Sequence, residues 1–148
     1  MYPHWRKPPE EEAEWLEAVM NLARHLRSPD GCPWDREQTA GDFARFAGEE
    51  LEELREALAS GDNGHVAEEA GDVLFCLFAM IAAAETEGRF ELTGCLKSIH
   101  EKMIRRHGHV FGGEAAETPE DAVAVWNAIK AREKGRGGED AGADQSGG

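Results

Sequence analysis

The sequence predicts an all-α helical bundle. Every periodic apolar segment of this 148-residue chain repeats at helical spacing, and none alternates as a half-buried strand would. The polar stretch Gly61-Asp62-Asn63-Gly64, between two acidic clusters, is too short for anything but an antiparallel helical hairpin. About five helices are expected around that hairpin. One helix carries more apolar surface than such a small bundle can cover, so dimerisation is expected to complete the fold.

Residues 1–10 contain Pro3, Pro8 and Pro9 and read as an irregular N-terminal arm. From Glu11 to Arg27 the positions Leu16, Val19, Met20, Ala23 and Leu26 form an amphipathic helix, which Ser28-Pro29-Asp30-Gly31 stops. Asp30 to Asp35 reads as a loop, and its Trp34 is either a lid on the core or a flat contact for a substrate base. Thr39 begins a second helix that runs to Ser60, and a third runs from His65 to Thr86. The third is apolar on nearly all sides after Asp72. Its densest run, Val73 to Ala84, is about half the ~20 residues of a membrane span. A helix of that kind is buried, and its cover is expected to come from a homodimer or a higher homo-oligomer. Leu92 to His107 forms a fourth helix and Pro119 to Lys134 a fifth, in which Trp126 is core or base contact. The helical domain thus spans residues 11–134. Residues 135–148 have almost no apolar content and read as a disordered tail.

Thirty acidic against 16 basic residues leave a formal net charge of -14, which disfavours nucleic acid and anionic membranes as partners. Cys32, Cys76 and Cys95 form no C-x-x-C pair, and the N-terminus shows no apolar signal segment, so a reducing cytoplasm is the expected location.

The hairpin carries the chemistry. Glu49-Glu50-x-x-Glu53 and Glu69-x-x-Asp72 each place carboxylates three apart, on one side of a helix. Glu50 falls inside the apolar sector of the second helix, Glu53 on its edge, and Glu69 beside Val73, Cys76 and Met80 on the third. Acidic groups on apolar faces are costly unless a proton or a cation neutralises them. Two facing forks would hold a hard cation. Glu52, Glu56 and Glu68 lie away from the stripes and read as solvated. The dense basic group is Lys102, Arg105, Arg106 and His107 at the end of the fourth helix. It either complements the helix dipole or grips phosphate oxygens, Arg by forked hydrogen bonds and Lys as a point charge.

Five stretches in order, SPDGCPWDREQT, E-E-x-x-E followed by E-x-G-D, EGRFEL, E-K-x-x-R-R-H-x-H-V-F and W-x-x-I-K, resemble the MazG nucleoside triphosphate pyrophosphohydrolase family from about Leu16 to Glu133. The resemblance implies an all-α magnesium enzyme, with Mn2+ as a substitute ion, that splits nucleoside triphosphates into monophosphate and pyrophosphate. It implies metal ligation by Glu50, Glu53, Glu69 and Asp72, and handling of the attacking water by Glu49. Lys102, Arg105 and Arg106 would hold phosphates, and Trp126 and Trp34 would contact the nucleoside. The family commonly has Pro where Gly108 stands, which implies a looser loop after the basic helix. Many members also carry two such domains in tandem.

The acidic pattern is compatible with that chemistry in its own right. Breaking an α-β phosphoanhydride requires neutralised oxygens, an activated water and a stabilised leaving group. Carboxylates without a partner histidine suit Mg2+. A di-iron bundle would need E-x-x-H motifs, which the acidic helices lack. The remaining alternatives are a narrower pyrophosphatase for dUTP, dCTP or phosphoribosyl-ATP, and a regulatory dimer that binds nucleotide without turnover.

Overall fold

The structure is a computed structural model that describes residues 2–5 and 7–142, with side chains described for residues 2–4 and 7–137. Among the described residues there is no strand. A 3-10 turn at Pro3–Trp5 precedes α1 (Glu12–Leu26), α2 (Pro33–Glu37), α3 (Ala40–Ser60), α4 (Asn63–Thr86), α5 (Leu92–Arg106), α6 (Gly108–Phe111) and α7 (Pro119–Gly142).

The five long helices are those the apolar periodicity predicts. The two short ones fall where the sequence reads as loop. In α2, Pro33 occupies the first helical positions, where its fixed φ suits a helix and its missing N–H costs nothing. α6 makes a single turn after His107, closed by Gly112 N–H donating to Gly108 O. Gly108 has no positive φ, so the departure from proline yields an ordered helical turn and not a looser loop. α7 continues past Lys134 to Gly142, because no proline interrupts it and its own backbone satisfies itself. The stretch expected to be disordered is therefore helical as far as Gly142, and residues 143–148 lie outside the described residues.

The chain divides into two compact units, Met1–Leu92 and Thr93–Gly148, where the sequence reading treats residues 11–134 as one. In the first unit α4 lies along α3 and also packs on α1. Two residues join the hairpin: Gly61, at φ 77°, ends α3 in the left-handed conformation, and the Asp62 side chain accepts from the Gly64 and His65 N–H groups to start α4. At the other end of α3, Thr39 and Asp42 form a reciprocal capping box.

Alanines explain how α4 is buried. Ala79, Ala82, Ala83 and Ala84 are almost wholly enclosed, Phe43 packs with Ala79, Ala83 and Ala84, and Met20 and Ala23 of α1 meet Ile81 and Ala82. Small side chains let the three helices approach closely. The larger Leu74 and Leu77 stay 50% and 40% exposed, so the bundle covers only part of this apolar helix.

Polar groups tie the loops to this core. Arg27 donates to the carbonyls of Asp35 and Gln38 and to Thr86 Oγ1, which clasps the α2 segment. Arg24 holds Glu85 with two hydrogen bonds of 2.8 Å, and Glu85 also accepts from Leu92 N–H. In the second unit α6 packs against α7.

Because Asp62 satisfies two otherwise orphaned donors at the start of α4, Asp62→Ala should lower the unfolding free energy by about 1 kcal/mol. Urea denaturation followed by circular dichroism measures this; an unchanged midpoint would remove the cap from the account of the hairpin.

Candidate metal centre and substrate groups

The hairpin brings Glu50 of α3 together with Glu69 and Asp72 of α4. One carboxylate oxygen from each lies within 4.8 Å of the other two. Burial grades across the group: Glu69 is enclosed at 7% exposure, Glu50 is half-buried and Asp72 is exposed. Burial, reinforced by the charges of Glu53, Asp72, Glu69 and Glu49, pushes the Glu50 carboxyl above its ordinary value. The same negative field adds to burial in raising the Cys76 thiol.

Glu53 is exposed and stands outside this trio, although its charge reaches Glu50. Its place on the edge of the apolar sector leaves it leaning toward solvent. Glu49 is exposed and accepts from Arg45 at 3.0 Å.

One residue of the group was not singled out from the sequence. His65 Nε2 lies 2.8 Å from Glu69 Oε1, so the acidic helix does have a histidine partner. The signal was its i,i+4 spacing to Glu69, a spacing that di-iron E-x-x-H logic does not test. Glu69 Oε2, by contrast, is fully enclosed without a hydrogen-bond partner.

A divalent cation fits these donors. Oxygens sharing a Mg2+ at about 2.1 Å stand about 3 to 4 Å apart, so small side-chain rotations would close the trio. The donor set is all oxygen, and the enclosed Glu69 Oε2 lacks the partner that buried polar atoms normally have.

Trp34, 53% exposed, stacks on Phe46 at 5.6 Å and meets Phe43 edge-on at 6.2 Å. Phe46, on which the indole stacks, is one helical turn before Glu50 on α3. Arg45 covers Phe46 at 4.4 Å. Trp34 thus packs on the core while leaving half its surface free.

In the second unit the basic group is partly neutralised. Arg105 and Arg106 both donate to Glu133, at 2.5 and 2.9 Å, and together they hold its carboxyl down to about 2. Arg106 also sits over the Trp126 ring at 5.1 Å, and His107 meets that ring edge-on at 5.4 Å. Trp126 is therefore engaged inside its own unit. Lys102 is half-buried and has no ion pair among the described residues.

A helical hairpin that gathers carboxylates from both arms places the chain among all-α proteins with an acidic cluster that could bind a metal ion. Residues 38–111 match the MazG nucleotide pyrophosphohydrolase domain, and the chain belongs to the MazG family. It is 41% identical over 114 residues to the uncharacterized protein YabN of Bacillus subtilis, covering 77% of this chain and 23% of that protein. It is 36% identical over 120 residues to the nucleoside triphosphate pyrophosphohydrolase of Escherichia coli K12, covering 80% of this chain and 46% of that one. The chain therefore spans less than half the length of either relative. The crystal structure of a MazG-related protein from Thermotoga maritima superposes with a TM-score of 0.67 at 26% identity, over 80% of this chain and 98% of that one.

The depressed Glu133 carboxyl makes a pH prediction. Its contribution to stability is fully present above the ordinary carboxylate value of 4.5 and is lost as pH falls toward about 2, its folded value. Thermal melts across that window should show Glu133→Gln less stable than wild type near neutrality, with the difference vanishing at the acid end. A gap that stays constant with pH would contradict the ion pair.

Proposed function

We propose that this protein is a magnesium-dependent pyrophosphohydrolase that cleaves the α-β phosphoanhydride of nucleoside triphosphates, releasing monophosphate and pyrophosphate and so cleansing the nucleotide pool. The observation that carries this reading is the convergence of carboxylate oxygens from Glu50, Glu69 and Asp72 to within 4.8 Å of one another, beside which Glu69 Oε2 is enclosed without a hydrogen-bond partner. Family membership and the name of the E. coli relative support it.

Glu50, Glu69 and Asp72 hold the cation, and Glu53, three residues beyond Glu50, joins them by turning inward. A bound Mg2+ would draw charge from the phosphate oxygens and lower the pKa of a coordinated water. Glu49, next to Glu50 in sequence and restrained by Arg45, orients the attacking water and accepts its proton. Lys102 and Arg106, with Arg105, contact phosphate oxygens, and substrate competes with Glu133 for the two arginines. Trp34 offers its free face to the base, and Trp126 is a second nucleoside contact. Mn2+ substitutes for Mg2+ because it accepts the same oxygen ligands.

The chain works as a homodimer in the cytoplasm. Trp15 and Leu16 of α1 and Leu74 and Leu77 of α4 are 40% to 52% exposed, and a second copy covers them. No helix among the described residues is long and apolar enough to cross a membrane, so these side chains have no lipid-spanning role.

Two measurements test this reading. Pyrophosphate release from the eight common nucleoside triphosphates should require Mg2+. Glu50→Gln and Asp72→Asn should each reduce it by at least about a hundredfold, roughly 2.7 kcal/mol of barrier, while circular dichroism stays unchanged; near-normal rates in either variant would refute the ligand assignment. In sedimentation velocity the wild type should run as a dimer and Leu74→Glu as a smaller species. A monomeric wild type would end the proposal that a second copy covers α4.

A further inference from the structure

Glu69 is the one charged side chain that the fold encloses among the described residues, and its two oxygens are treated differently. Oε1 accepts a hydrogen bond from His65 Nε2–H at 2.8 Å, whereas Oε2 has no partner. An ionised carboxylate can only accept, so the proton of that bond sits on the imidazole. The His65 side chain is 46% exposed and that of Glu69 only 9%. A ring reaching in from the surface thus satisfies one oxygen of a buried acid and stops the carboxylate from rotating.

The imidazole is not needed to build the helix. The local anchor of His65 is its backbone N–H, donated to Asp62 Oδ1 at 3.2 Å, and any residue supplies that group. The side chain's hydrogen bond goes to Glu69. His65 also lies outside the oxygen trio itself, so its contact with the centre runs through Glu69.

We propose that His65 is a positioning residue for the metal centre: by hydrogen-bonding Oε1 of Glu69 it holds Oε2 as the oxygen offered to a divalent cation shared with Glu50 and Asp72. Ligand carboxylates are commonly oriented in this way by groups one shell further out, and losing such a group weakens metal binding by about 10- to 100-fold. This inference rests on the metal reading above and adds to it a residue that acts without touching the ion.

The test is Mn2+ binding to the full chain at one fixed pH, read from the electron paramagnetic resonance signal of the remaining free ion. Wild type, His65→Ala, His65→Gln and Glu69→Gln are compared, with circular dichroism melts to verify the fold. His65→Ala should bind at least about tenfold more weakly. His65→Gln should recover most of the loss, since its amide can donate across the same four-residue spacing. If Glu69→Gln weakens binding and His65→Ala does not, the positioning role is overturned while the metal centre stands. A glutamine variant as weak as the alanine variant would overturn the hydrogen bond as the cause. Wild type that fails to bind Mn2+, or binds no better than Glu69→Gln, would remove the metal centre and this inference with it.

Discussion

The structure depends on mutual repulsion that is held in place. Glu50, Glu69 and Asp72 bring three carboxylates within 4.8 Å of one another, and one of them is enclosed by the helices that carry it. Left to themselves such groups separate or protonate, and the Glu50 carboxyl is raised first by burial and then by its acidic neighbours. What opposes separation is packing: α4 is fastened to α3 and α1 by alanines and by Phe43 and Met20, so the helix backbones that carry the carboxylates cannot separate without opening the core. The unfavourable arrangement is thus sustained by apolar burial elsewhere in the same two helices.

That division of labour accounts for the composition of α4. Its first half carries Glu69, Asp72 and His65; its second half is nearly all apolar and bears the packing. The loops are secured by arginines, Arg24 through its pair with Glu85 and Arg27 through hydrogen bonds to backbone carbonyls, so both serve the architecture. Arg105 and Arg106 differ in kind, because both converge on the single carboxylate of Glu133, which holds the two guanidinium groups as a pair.

Much of this was legible in the sequence because helical periodicity is a strong signal. The five long helices, the Thr39 start, the turn at Gly61 and the convergence of Glu50, Glu69 and Asp72 all follow from spacing. What spacing misses is of four kinds. The short helices α2 and α6 are one-turn features fixed by local backbone bonding, too brief to show a period. The reach of α7 to Gly142 depends on backbone self-satisfaction, which apolar content does not report. The bond between His65 and Glu69 joins a polar residue at a helix start to an acid one turn on, a spacing that commonly signifies only a surface pair; burial of Glu69, visible only in three dimensions, is what changes its meaning. The leaning of Glu53 away from the trio is likewise a side-chain outcome that helix geometry leaves open.

The junction of Gly61 and Asp62 has a consequence for how such a protein can diverge. With only two residues between the arms, one inserted or deleted residue that propagates into α4 would swing everything after it by about 100°, carrying Glu69 and Asp72 away from Glu50 and turning leucines inward where alanines now fit. Side-chain exchanges at the junction are tolerable wherever a left-handed residue and a capping acceptor survive, but changes of length are not. Lineages of this hairpin should therefore vary in the identity of their turn residues while conserving phase, either by holding the count constant or by adding enough chain to decouple the arms altogether.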